Sequence, residues 1–185
     1  MVDSVVYLAD ESRALLQRLL EQGCRQWATP RPATHRGLAT AFRLRCSMES
    51  RRYPIEVDYR LPPELRDFWA RVRSARLFED VDYGHWGLVL FSPADAEHET
   101  AAFHEDRRRD SRAGDLVVGR FLGDQDLMIV RTDPAADDFG QVLIALPLDR
   151  RADWYTPARS LDAFLRAFFE AEGAKFWEDA DGASH

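Results

Sequence analysis

Asparagine is absent from this 185-residue chain, and lysine occurs once, as Lys175, against 24 arginines. Arg codons are GC-rich while Lys and Asn codons are AT-rich. The imbalance marks a high-GC, bacterial-type genome rather than a selection of arginine for phosphate. Cysteine is scarce too. Cys24 and Cys46 cannot staple a domain of this size, so both read as free thiols of a reducing compartment. No apolar run approaches the ~20 residues of a membrane helix. The first residues, MVDSVVYLADES, lack the basic stretch and long apolar run of a secretory signal. A cytoplasmic protein without a membrane partner is expected.

Chemical motifs are equally sparse. There is no GxSxG nucleophile elbow, no CxxC pair, and no glycine fingerprint between a strand and a helix to cradle phosphate. His98 and His104, with Glu97, Glu99, Glu105 and Asp106, are the nearest approach to a metal helix. Metal helices place ligands at i and i+4, whereas these histidines stand six apart and face different ways. A solvated helix face accounts for them. His85 beside Trp86 has no assignable partner, His35 sits in a loop and His185 ends the chain. No catalytic residue, metal ligand or cofactor site is expected.

What is present is a soluble composition, 45% hydrophobic and 31% charged, with a formal net charge of −7. Length and composition fit one domain over 1–185. The charge is unevenly spread. Residues 1–76 carry 14 basic and 9 acidic side chains, net +5, and residues 77–185 carry 11 and 23, net −12. Such a balance repels nucleic acid and attracts a basic partner, although it also serves solubility.

Periodicity sets out the elements. A helix is predicted from Asp10 to Gln22, with Leu15, Leu16, Leu19 and Leu20 on one stripe and Gly23 at its end. Residues 28–37 are a turn-rich connection. Phe42, Leu44 and Cys46 alternate with polar residues as in a half-buried strand, and Ile55, Val57 and Tyr59 do the same over a shorter stretch. Pro62-Pro63-Glu64 opens a helix with Leu65, Phe68, Trp69 and Val72 on one face. Gly87–Phe91 reads as a buried strand. Ser92 caps a helix that ends in Arg107–Arg109. Leu116–Leu122 and Leu127–Val130 flank the turn Gly123–Asp126 as a hairpin, and Gln141–Leu146 follows as a third strand. Ser160 caps a closing helix with Leu161, Phe164, Leu165, Phe168 and Phe169 on one face. The tail after Trp177 is expected to fray over 178–185. The order gives an α+β fold, with helices packed against a largely antiparallel, multi-stranded sheet.

Three segments, in this order, resemble the SUKH superfamily, named after a yeast cell-wall assembly regulator and its bacterial immunity relatives. They are Leu61-Pro-Pro-Glu-Leu-Arg-Asp-Phe-Trp69, the hairpin Gly114–Val130 and Ala158-Arg-Ser-Leu-Asp-Ala-Phe-Leu165. The resemblance covers about residues 55–170 and leaves a helix-and-strand extension, 1–54, outside it. It implies a SUKH-like α+β domain and a non-enzymatic binding role, typically as an immunity protein that neutralises a cognate polymorphic toxin, often a nuclease. No catalytic residue comes with the family. A basic toxin domain is then the expected partner. Asp124, Asp126, Asp133, Asp137 and Asp138, in two loops of the meander, are the candidate contact residues. Aspartates also simply make good turns. Two other readings remain open here: a regulatory scaffold module of the same fold, and a small metal-dependent hydrolase using His85 or His98.

Overall fold

The structure, a computed structural model, describes residues 16–181. A seven-stranded antiparallel sheet runs in chain order from one edge to the other, and helices pack on both its faces. It is an α+β architecture, as the element order predicts.

Helix α1 occupies 16–26. Leu16 and Leu20 are buried along its inner side, and Trp27 follows just past its end. The predicted start, with Asp10 and Leu15, lies outside the described residues. The helix does not stop at Gly23. A Cβ there would stand 2.2 Å from Cε1 of Phe169, so this glycine admits a ring rather than ending a helix. A small hairpin follows, β1 (Thr34–His35) and β2 (Leu38–Ala39). Its turn residues Arg36 and Gly37 both have positive φ, as a tight two-residue turn requires.

Strand β3 (Leu44–Ser50) is one edge of the main sheet. Leu44 and Cys46 point inward as their alternation predicts, and they join Leu16, Leu20 and Trp27 in the main core. Residues before 55 are thus built into the sheet and its packing. The second predicted strand, Ile55–Arg60, is absent: residues 51–62 form an irregular connection in which Ile55 and Tyr59 are exposed. Part of the backbone of this connection is satisfied by the helix that follows instead: the N–H groups of Arg51 and Ile55 donate to the carbonyls of Arg71 and Ala70 at 2.7 and 3.0 Å.

Helix α2 (Pro63–Arg71) buries Leu65, Phe68 and Trp69 and runs directly into β4 (Val72–Asp80), a strand the periodicity does not reveal. A bulge hides it. Cys46 stands opposite two residues, Leu77 and Phe78, and Phe78 takes a positive φ of 52°. Both side chains are then buried consecutively, which breaks the period of two. The displaced N–H of Phe78 donates to Sγ of Cys46 at 3.1 Å. Burial pushes the Cys46 thiol up to about 12 and the Cys24 thiol up to about 11. Two outcomes follow. Neither thiol should react with a disulfide reagent at pH 8 before unfolding, because almost no thiolate is present. Cys46→Ala should cost about 1–3 kcal/mol in urea melts, since it orphans a buried donor, whereas Cys46→Ser should retain an acceptor and cost less.

Strand β5 (Leu88–Leu90) and helix α3 (Pro93–Asp106) follow, with the Ser92 hydroxyl accepting from the N–H of Asp95 at 3.2 Å. Strands β6 (Asp115–Phe121), β7 (Leu127–Arg131) and β8 (Val142–Ala145) form the predicted meander. Their unbroken apolar runs serve two faces. Met128 and Val130 join the main core, while Ile129 and Leu143 pack with Phe103 of α3 on the other side. The last strand, β9 (Tyr155–Ala158), is also unpredicted, because Pro157 argues against a strand. It lies at the free edge, where a proline lacks no ladder partner.

Helix α4 (Leu161–Glu170) buries Leu161, Phe164, Leu165 and Phe168 as predicted, capped by Ser160. The chain beyond Trp177 does not fray at once: α5 runs from Phe176 to Asp181. Its root is fixed by Trp177, which is buried against Phe121 and Phe164, and by Lys175. Residues 182–185 lie outside the described residues. Among those described, no helix is long and apolar enough to cross a membrane.

Candidate binding surface

The five candidate aspartates do not share one patch. The Gly123–Asp126 turn and the 132–140 connection sit at opposite ends of β7, a five-residue strand about 17 Å long. Of the five, only Asp126 is buried. Asp126 is 3% exposed and, with Asp124, holds the ammonium of Lys175 at 2.7 and 2.6 Å. Burial opposes the charge on Lys175, yet hydrogen bonds to these carboxylates outweigh it and raise its pKa above the ordinary 10.5. Thus the lone lysine ties the root of α5 to the β6–β7 turn. Asp138 accepts from Nε of Arg131 at 2.9 Å. Asp133 closes its own turn by accepting from the N–H of Ala135. Asp124 keeps an outward edge, and Asp137 is exposed. Aspartates at turns were legible as such, but their cationic partners arrive from residues 7 to 51 positions away, which no local pattern reports.

A buried ion network, also invisible in the sequence, lies behind Asp138. The Asp115 carboxylate is fully enclosed and accepts from Arg131 at 2.8 Å, from Arg151 at 2.7 and 3.0 Å and from the N–H of Arg112 at 2.7 Å. It joins β6, β7 and the short helical turn Arg151–Asp153. Every guanidinium here is matched by a carboxylate, so the network is structural cement and offers no free nucleophile or base. His104 is bound to the carbonyl of Asp115 at 3.2 Å, while His85 and His98 are exposed. Among the described residues, no three His, Cys, Asp or Glu side chains are grouped so as to hold a metal.

Four further exposed carboxylates lie on α3, while others, Glu56, Asp149, Asp153 and Glu170 among them, are scattered elsewhere on the described surface. Only Ala96 and Phe103 of this helix are buried, and Asp95, Glu97, Glu105 and Asp106 face outward. Asp95 bonds to Ser92, Glu105 stands 4.0 Å from Arg108, and Glu97 and Asp106 have no ion-pair partner among the described residues. On one flank, Glu99, Ala102 and Asp106 border a groove of about 380 Å³. Its floor is Phe103, Leu127 and Ala145, and its far wall includes Arg120, Gln125 and Pro147. Arg120 reaches across to Glu99. The sequence marked α3 as a solvated helix, but which flank meets an apolar floor depends on how it lies across the sheet.

No family model, curated protein or solved structure matches this chain.

Proposed function

We propose that this chain is a non-enzymatic, cytoplasmic binding protein of the bacterial immunity type, which neutralises a basic cognate toxin domain. The observation that carries this reading is the exposed surface of α3, where carboxylates on both flanks stand without a lysine or arginine along the helix itself. A toxin that handles nucleic acid must present cations to hold phosphate. A protein that offers fixed carboxylates steers to those cations and excludes the nucleic acid. The SUKH resemblance adds support. Its three segments form α2, the β6–β7 hairpin and α4, which pack into one core, with Leu65, Phe68, Met128, Val130 and Phe164 in a single cluster.

Co-expression with the toxin domain encoded at the same locus tests the reading. The expected result is protection of the host, with association that slows as salt rises from 50 to 300 mM, since ions screen exposed charges within ~8–10 Å. The variant Glu97→Gln/Asp106→Asn should fold normally, because neither side chain is paired among the described residues, and should bind mainly with a reduced on-rate. Absence of both binding and protection would discard the immunity reading in favour of a scaffold role.

A further inference from the structure

We infer that β3 pairs with β3 of a second copy of this chain, so that two seven-stranded sheets join edge to edge across a two-fold axis near Met48. The inference starts from the strand's backbone groups, which alternate between its two sides. Leu44 exchanges both its bonds with Arg31, at 2.8 and 3.2 Å, on the side away from β4. Cys46 faces the same side and donates its N–H to the carbonyl of Trp27 at 2.9 Å. The odd residues turn the other way. Arg43 accepts from Val81 and Arg51 donates to Arg71, at the two ends of β4. Met48 and Ser50 therefore present N–H and C=O outward, next to the C=O of Cys46. None of these groups has a partner among the described residues. Residues 27–31 thus cover the first half of this edge and leave the second half open. The opposite edge, β9, is shorter and carries Pro157, which blunts pairing, whereas β3 has no proline.

An open strand edge selects an extended polypeptide, because only an extended chain repeats donors and acceptors at the same spacing. Two further features select this chain's own β3. First, the open groups are self-complementary. In an antiparallel pair centred on Met48, each Met48 N–H donates to the other Met48 carbonyl, and each Ser50 N–H donates to the Cys46 carbonyl of the second copy. Every bond is made twice, and none uses a group that residues 27–31 already occupy. Such a self-matching surface closes as a two-fold dimer. Second, the charges match. A groove of about 650 Å³ runs between this half of β3 and α1, with Cys24, Ala28 and Met48 in its lining. Glu21 and Arg25 stand one helical turn apart on its α1 wall. The Glu21 carboxylate accepts from Gln17, and the Arg25 side chain has no partner among the described residues. The two-fold sets the second α1 antiparallel on the same face of the joined sheet, so Glu21 of each copy meets Arg25 of the other. Arg45, the other cation of the groove, stays with Glu79 at 3.4 Å. Helix α3 packs on the opposite face and remains free, so this pairing is independent of the partner proposed above.

Sedimentation of the full chain across about 1–200 μM is expected to show a reversible monomer–dimer equilibrium. Arg25→Glu, at an exposed position, should leave the melting temperature unchanged and raise the dimer Kd about tenfold or more, since glutamates then face each other. Adding Glu21→Arg restores opposite charges across the axis and should return the Kd to near the wild-type value, a rescue that damage to the fold could not give. Met48→Pro removes the central donor without taking a bond from the β4 ladder and should leave the chain monomeric. In hydrogen exchange, the Met48 N–H should be fast in the monomer and protected in the dimer. A chain that stays monomeric to about 200 μM overturns the inference. Protection of the Met48 N–H at every concentration would show that another segment of the same chain covers the edge, and also overturns it. So does a dimer indifferent to both Arg25→Glu and Met48→Pro, which must be built on a different face.

Discussion

Truncation of Phe168 to alanine is expected to cost about 3–5 kcal/mol, a large share of the ~5–15 kcal/mol that holds a domain folded. The ring is fully buried on the inner side of α4. It meets Phe78 edge-on at 5.4 Å, Phe121 edge-on at 6.0 Å and stacks on Phe164 at 5.7 Å. One side chain thereby links the closing helix to β4 and β6, which are not adjacent strands. Its neighbours are themselves fixed by further rings, so the cavity cannot collapse cheaply. Urea unfolding should show a lower midpoint with an unchanged slope. A loss below about 1 kcal/mol would mean that α4 is not packed on the sheet in this way.

Asp115→Asn should be comparably damaging, at about 3–5 kcal/mol near neutral pH. The substitution keeps the shape but removes the charge that Arg131 and Arg151 share, and those guanidiniums are only 5% and 13% exposed. A buried cation without its anion is the costly species; the intact pair by itself adds little. Asp138→Asn should cost less, because its side chain is 32% exposed and Arg131 keeps Asp115. The pH dependence supplies an independent check. Burial works against ionisation of Asp115, but donation from Arg151, the Arg112 N–H and Arg131 outweighs it and holds the carboxyl below its ordinary 3.8. Its contribution to stability is therefore complete above pH ~3.8 and is lost as the pH falls through the lower, folded-state value. The gap between wild type and Asp115→Asn, measured as urea midpoints from pH 6 downward, should be constant to about pH 4 and shrink below it. A gap that persists unchanged at pH 2 would show that the charge is not what the network needs.

The contrast between these two residues shows where sequence reasoning holds. Phe168 was legible as core because it recurs with Phe164 and Leu165 on one helical face, and burial of such a face is a local consequence of the 3.6-residue repeat. The Ser92 and Ser160 caps and the β6–β7 turn were legible for the same reason: the residues that make them lie within a few positions of one another. Asp115 gave no signal. Its partners, Arg131 and Arg151, are 16 and 36 residues away and meet it only when β6, β7 and the turn before β9 are assembled. The candidate aspartates suffered likewise. Asp126 looks like a solvent-facing turn residue until Lys175, 49 positions on, is folded back over it.

The α+β class, the antiparallel meander, both capped helices and the amphipathic faces that form the core can be read along the chain, because each is a short-range matter of period, capping and turn chemistry. The other features arise when distant segments pack together. That packing brought β3 onto the sheet edge, let β4 carry a bulge whose spare N–H binds Cys46, accepted Pro157 in β9 because that strand is at an edge, and tied the 51–62 segment to the end of α2 through the N–H groups of Arg51 and Ile55. It also divided the acidic residues into those neutralised inside the fold, such as Asp115 and Asp126, and those left facing outward, such as Glu97, Asp106 and Asp137. Charge pairing and edge position depend on which distant segments become neighbours, and that is fixed by the packing of the whole chain, not by any stretch of it.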